Sequence, residues 1–336
     1  MEGAGDLVQG RRLDSRALVS RAPGLVWEWP AAVVGAVYAL PAAIVVLNDP
    51  PRGFALAFGV LPAAIVGVLP TRRARLAVVV LGACFGVPIF IGGLLAGAPV
   101  LAVAAIGALG VGSAVLASRF RFGMLAMSLS LPMLGVGLSY SDVGEAAGIA
   151  GLIILGSVWA CAVSMLWPER RPVDRRRSPG GAAGPTLDYG IRLGLAGATA
   201  AAIGFLLDLD HVGWVCAAAL LVMRPAAEMQ RLRSVGRVIS VAVGALAAVV
   251  LVHLNPPFVV YSLGALVAIA GAGAMHRSRW YVVPAFTTFV VFLLLLYAHP
   301  QDAASRFGER LLETLLGVAI AYLFGLVLPP LTRRAK

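Results

Sequence analysis

Hydrophobic positions along this chain come in blocks separated by short polar stretches. Apolar segments lie near 31–47, 53–69, 76–96, 98–117, 122–140 and 146–167, and again near 189–207, 211–223, 238–254, 257–275, 280–298 and 311–328. A hydrocarbon core about 30 Å thick is crossed by about 20 apolar residues in a helix. Lipid offers no partner for a bare peptide group, so segments of this kind are helical. The pattern predicts an all-α integral membrane protein of about twelve transmembrane helices. Composition agrees: 60% of residues are hydrophobic and 13% charged, against about 25% charged in soluble domains, and mean hydropathy is +0.90.

The arginines supply an orientation. With the N-terminus in the cytoplasm, Arg11, Arg12, Arg16, Arg21, Arg72, Arg73, Arg75, Arg119, Arg121, Arg170, Arg171, Arg175, Arg176 and Arg177 fall on one side. Arg224, Arg231, Arg233, Arg237, Arg277, Arg279, Arg333, Arg334 and Lys336 follow them, which makes 23 of the 27 basic residues. The opposite loops hold Asp49, Asp142, Glu145, Asp208, Asp210 and Asp302. This is the bias of a multi-pass protein with both termini cytoplasmic, and the plasma membrane is the expected location. It also accounts for a net charge of +11 without nucleic acid, since the basic residues sit in short loops beside alternate spans. The cluster RRPVDRRR at 170–177 reads as a solvated linker that pins orientation, with contact to anionic lipid heads as the alternative.

The organisation that follows has a cytoplasmic N-terminal segment at 1–29 and a first six-helix unit at 30–168. An Arg/Pro/Gly-rich linker occupies 169–187, a second six-helix unit 188–330 and a tail 331–336. The first segment lacks the apolar core of a signal peptide and is expected to stay on the protein. The units look like copies at a constant offset. TRRARLAVVVLGA at 71–83 resembles RLRSVGRVISVAVGA at 231–245, pairing Arg75 with Arg237 and Gly82 with Gly244. LWPERR at 166–171 likewise resembles LPPLTRR at 328–334, pairing Pro168 with Pro330. An even number of spans per copy predicts two parallel repeats related by a pseudo-twofold axis along the membrane normal. Within the second unit, Arg237 and Arg310 each precede a glycine by seven residues, Gly244 and Gly317, and Trp214 and Trp280 open the preceding spans. That hints at an inverted three-plus-three arrangement.

Ionisable residues concentrate in the second unit. The segment HVGWVCAAALLVM at 211–223 is short for a span and bracketed by LDLD and Arg224-Pro225, and short, interrupted spans point to a transporter's binding region. A tilted neighbour with Trp214 in the interfacial belt is the alternative. Arg192, Arg224, Arg237 and Arg310, with Trp214, are candidate substrate contacts, because a guanidinium carries five donors and a permanent charge suited to an oxyanion. Arg192 can equally snorkel to cytoplasmic water. Glu313, Asp208, Asp210 and His211 are candidates for ion coupling or ion pairing. Glu313 stands three residues after Arg310, on its face of a helix, so a structural ion lock and a proton relay are both open. Glycine pairs such as Gly82/Gly86 and Gly190/Gly194 permit close helix approach.

Other chemistry is not indicated. Cys84, Cys161 and Cys216 lie apart in apolar runs and suit packing. With Lys336 as the single lysine there is no Walker A motif, and no metal or nucleophile signature occurs, so no enzyme, cofactor or metal is expected.

LDYGIRLGLAGATAAAIG, DHVGWVCAAALLVMRP, RLRSVGRVISVAVGA and ERLLETLLGVAIAYLFG together resemble the fusaric acid resistance protein-like family. That family belongs with the aromatic acid exporters and is distantly similar to plant aluminium-activated malate transporters. The resemblance covers about 188–330, with a fainter echo over 25–170. It implies six-helix units around a pathway for organic, including aromatic, anions, with Arg192, Trp214, Arg224, Pro225, Arg237, Arg310 and Glu313 at the matching positions. The linker here is far shorter than the soluble regions of larger relatives. The expected function is a secondary transporter or channel-like exporter of organic anions. Its partners are membrane lipids and a small organic anion rather than nucleic acid, and a homo-oligomer is left open. The alternative is a non-transporting membrane scaffold whose charges only set topology.

Overall fold

Proline stands in the first turn of several helices, where its missing N–H is not needed and its fixed φ suits the chain. In the computed structural model, which describes residues 24–120, 123–124, 126–170, 185–209, 211–278, 282–297 and 303–328, this holds for α1 (Trp29–Val46), α2 (Pro50–Val66) and α4 (Pro99–Arg119). Side-chain caps open others: the Asp142 carboxylate accepts from the Gly144 amide at 2.8 Å before α6 (Val143–Ser164), and Thr186 Oγ1 accepts from Tyr189 N at 3.2 Å before α7 (Leu187–Leu206). The remaining helices are α3 (Ala77–Ala96), α5 (Leu131–Gly137, entered through a wide π turn), α8 (Val212–Val222), α9 (Ala227–His253), α10 (Phe258–Ala274), α11 (Val283–Leu296) and α12 (Ala303–Tyr322, continuing as a π turn). The described residues are 83% helical with no strands.

A helix overlies each apolar run, yet only seven described helices are long and apolar enough to cross a membrane: α1, α4, α6, α7, α9, α3 with the turn before it, and α12 with its π extension. They expose branched apolar faces, such as Val33, Leu40 and Ile44 on α1 or Ile239, Val243, Leu246 and Val250 on α9. Such surfaces suit lipid rather than water, and the chain is a multi-pass membrane protein. Four of the five shorter helices, α2, α5, α8 and α11, lie inside. In α8 every residue but Leu221 is buried, and α2 is buried from Gly53 to Ala64. A helix sheathed in protein need not match the bilayer thickness, because its ends meet protein rather than lipid.

Long helices hold the short ones at single points. Gly92 of α3 meets the carbonyl of Leu134 on α5, and Gly156 of α6 meets that of Leu56 on α2. Gly244 of α9 meets the carbonyl of Ala285 on α11, and Gly317 of α12 that of Val215 on α8. A Cβ at any of the four would collide with that carbonyl oxygen, so glycine permits the approach. The anticipated partner of Gly244, Gly82, instead faces Ser157 of α6. The constant offset of 162 is therefore not the register in which these helices pack; it followed local sequence likeness across loops of unequal length. Pro330, the second anchor of that offset, lies outside the described residues, as do Trp280 and the cluster 171–177.

Helices from the two halves interleave. α1 packs along α10 and α4 along α7, while α2 touches α11 and α8 touches α5. Ser262 donates to the Ala43 carbonyl at 2.7 Å across the α1–α10 seam. Within the second half, buried Gln230 of α9 donates through Nε2 to the Ala321 carbonyl of α12 at 2.6 Å, and its Oε1 accepts from the Arg224 amide at 3.4 Å.

α9 starts eleven residues before the apolar run beginning at 238, and α12 eight before the run beginning at 311. Both leading stretches mix buried and polar positions, with Gln230 and Ser234 buried one turn apart in α9 and Ala303 and Arg310 two turns apart in α12, so a scan for continuous apolarity passes over them. Arg237 and Arg310 consequently lie well inside their helices rather than at the entry points expected from sequence.

Gly317→Ala should lower the stability of the purified protein by about 1–3 kcal/mol, since a methyl must be forced against a fixed carbonyl. Gly151→Ala, at a glycine with open space around it, should change stability by less than about 0.5 kcal/mol. Melting curves of the two variants in the same detergent test the contrast.

Candidate functional site

Where α2, α5, α8 and α11 converge, they leave a cavity of about 250 Å³. That is slightly below the range of about 300–1,000 Å³ usual for drug-sized ligands, so it suits a small molecule. Each short helix lines it with residues at i, i+3 and i+7, the spacing of one helical face. α2 provides Ala55, Phe58 and Pro62; α8 provides Trp214, Ala217 and Leu221; α11 provides Pro284, Thr287 and Val291. From α5 and the turn after it come Met133, Val136 and Tyr140. The first residue of each set directly precedes the carbonyl met by a glycine of a long helix: Leu56, Val215, Ala285 or Leu134. The same contacts that pack the helices therefore aim their side chains.

The long helices complete the wall. Phe85 of α3, Ile149 of α6, Arg237 of α9 and Arg310 of α12 reach the cavity, each seven residues before the glycine of its own helix. Two guanidinium groups thus border an otherwise mostly apolar space. Nε of Arg237 and Nε and Nη1 of Arg310 are buried without a hydrogen-bond acceptor among the described residues. Buried unsatisfied donors cost about 1–3 kcal/mol each, more when charged. Two neighbours soften the cost at Arg310. Its guanidinium carbon stands 3.8 Å above the centre of the Trp214 ring, a cation–π contact. Glu313 Oε2 lies 3.6 Å from Nη1, an ion pair too long for a hydrogen bond.

Arg75, paired with Arg237 by sequence, is differently placed. Its Nε donates to Leu69 O at 2.8 Å, Nη1 to Ser164 O and Trp167 O at 2.7 Å, and Nη2 to Pro168 O at 2.9 Å. Four of its five N–H donors are thus taken in clamping two loops together. Arg192 and Arg224 also stand away from the cavity wall. Arg192 pairs with Asp188 one turn earlier at 2.9 Å, and Arg224 Nη1 donates to the carbonyl of Met223.

On the opposite side of Trp214 and Arg310, a narrow cleft is lined by His211, Arg306, Glu309 and Glu313. Beyond it lies a wider pocket of about 490 Å³ bordered by Asp208, Glu309 and Glu313. Asp208 closes α7 in the left-handed region at φ 47°, which Asp tolerates better than most residues. The Arg310–Glu313 pair with Trp214 therefore partitions the central cavity from an acidic vestibule. Asp210 lies outside the described residues.

Of the candidates read from sequence, Trp214, Arg237 and Arg310 meet at the cavity, and Glu313, His211 and Asp208 cluster behind them. The aromatic and hydroxyl wall was missed: Phe58, Phe85, Tyr140, Thr287 and Thr288. Phe58 and Phe85 stack edge to face with centroids 5.8 Å apart. The i, i+3, i+7 sets were visible in the sequence, but uniformly apolar spans contain many such sets and nothing singles out the right ones.

Residues 199–324, a region that holds Trp214, Arg237, Arg310 and Glu313, match the fusaric acid resistance protein-like family. No curated protein matches the chain. No solved structure does either.

Arg75 and Arg237 should answer substitution oppositely. Arg75→Ala strands four carbonyls and should destabilise by about 2–4 kcal/mol. Arg237→Met removes an incompletely paired charge from an apolar wall and should leave stability equal or higher. Thermal unfolding of the two purified variants beside the parent checks this.

Proposed function

We propose, starting from the family that residues 199–324 match, that the protein is a secondary transporter or channel-like exporter of small organic anions, including aromatic ones. In this reading it lies in the plasma membrane with both termini in the cytoplasm. All twelve helices cross or penetrate the bilayer as two units, α1–α6 and α7–α12, related by a pseudo-twofold along the membrane normal. The packing supports this, because four pairings recur under the exchange of halves: α1–α10 as α7–α4, α3–α6 as α9–α12, α2–α6 as α8–α12, and α2–α11 as α8–α5. The four glycine contacts add support for an inverted repeat inside each unit.

The observation that carries the function is the pair of incompletely satisfied guanidinium groups on the wall of a small apolar cavity. A carboxylate there meets fixed donors in surroundings of low polarity, where charge-assisted hydrogen bonds are strong. Arg237 arrives on a helix that rises from the cytoplasmic side and Arg310 on one that descends from the outer side, so the anion can be passed from one to the other. Arg192 and Arg224, near the cytoplasmic end, raise the local concentration of anions. Glu313 competes with the substrate for Arg310, and with Asp208, Asp210 and His211 it borders the route outward. Release follows when the carboxylate of Glu313 reclaims the guanidinium, and the acidic vestibule disfavours return.

Flux of benzoate into proteoliposomes tests the reading. The parent should carry it well above protein-free vesicles. Arg237→Ala and Arg310→Ala should each reduce flux about tenfold or more, the equivalent of one or two lost charge-assisted hydrogen bonds. Arg192→Ala, off the cavity wall, should lower it less than about threefold. Equal flux with and without protein would leave the scaffold reading, in which the arginines only set topology.

A further inference from the structure

We infer that Phe85 and Ile149 are specificity-determining residues that give the cavity a single charged pole and so select singly charged anions with an apolar body over dianions. The inference deepens the transport reading and rests on it. Four positions around the cavity are geometrically equivalent: Phe85, Ile149, Arg237 and Arg310. Each belongs to a long helix, and each lies seven residues before the glycine that meets the backbone carbonyl of a short helix, Gly92, Gly156, Gly244 and Gly317. Each faces the same space. The short helices repeat the match, with Ala55, Met133, Trp214 and Pro284 one residue before those carbonyls and their partners at i+3 and i+7.

Two of the four equivalent positions are cationic, and both belong to the second half. The first half fills its two with a phenyl ring and a branched alkyl group. Phe85 is reinforced by the edge-to-face contact with Phe58, which makes an aromatic surface on that wall, while Met133, Val136 and Ile153 add apolar area. One wall therefore offers hydrogen-bond donors and permanent charge, and the other offers dispersion and ring contacts. A benzoate-like ligand satisfies both at once, with its carboxylate against Arg237 and Arg310 and its ring toward Phe58 and Phe85. A ligand with a second carboxylate on the far side of the ring brings that charge against carbon and the neutral hydroxyls of Ser128 and Tyr140, where it loses water and gains no charged donor. Discrimination by an unpaired charge is much steeper than discrimination by size.

Competition measured on the purified full-length protein tests this, with benzoate and terephthalate as probes that share the ring and differ by one carboxylate. The parent should bind benzoate at least about tenfold more tightly than terephthalate. Phe85→Arg should place a guanidinium opposite Arg237 and Arg310 and narrow or invert that ratio. Ile149→Arg should move it the same way, and Phe85→Leu should leave it near the parent value. A parent that binds the two probes equally overturns the inference whatever the variants do. So do Arg variants that are monodisperse, bind benzoate and keep the parental ratio. Should a variant fail to fold, the parental ratio and the second Arg variant still decide. Absence of binding and flux for both probes in the parent overturns the anion-transport reading itself, an outcome distinct from a lack of selectivity.

Discussion

A guanidinium keeps its charge wherever the chain puts it, and a protein that borders an apolar cavity with two of them must compensate that charge. Arg75 shows a nearly complete solution, since carbonyls take four of its five N–H donors. Arg237 and Arg310 have a partial one. Trp214 lends a π face and Glu313 a carboxylate to Arg310, yet Nε of Arg237 and Nε and Nη1 of Arg310 are left without an acceptor among the described residues. The rest of the molecule can be understood as the means of holding those two side chains there. Long helices carry them, short buried helices enclose the space before them, and small residues fix the distance between the two kinds.

That division of labour explains an awkward feature of the sequence. α8, at 11 residues, is far too short to cross a bilayer by itself. It needs no such length, because α5, α7 and α12 surround it and its backbone ends face protein. Shortness and full burial are one fact seen twice, and both put the helix beside the cavity.

Much of the architecture was legible in the sequence. Continuous apolarity marks every helix, and the arginine-to-glycine interval of seven, noticed at Arg237–Gly244 and Arg310–Gly317, is the spacing that links a cavity residue to its helix-packing contact. The pairing of halves was misread for a physical reason. Basic loop entries such as those around Arg75 and Arg231–Arg237 resemble one another because topology demands arginine there, whereas equivalence of packing depends on where a carbonyl approaches. Phe85 and Ile149 left no mark, since a phenylalanine or isoleucine in an apolar span looks like any other. Helix starts at Ala227 and Ala303 were hidden by polar residues on an otherwise periodic face.

The buried amide of Gln230 joins the start of α9 to the end of α12, and the same side chain receives the Arg224 amide. The helices bearing Arg237 and Arg310 are thereby yoked. Their relative tilt is fixed through one shared side chain, and with it the separation of the two positive charges they carry.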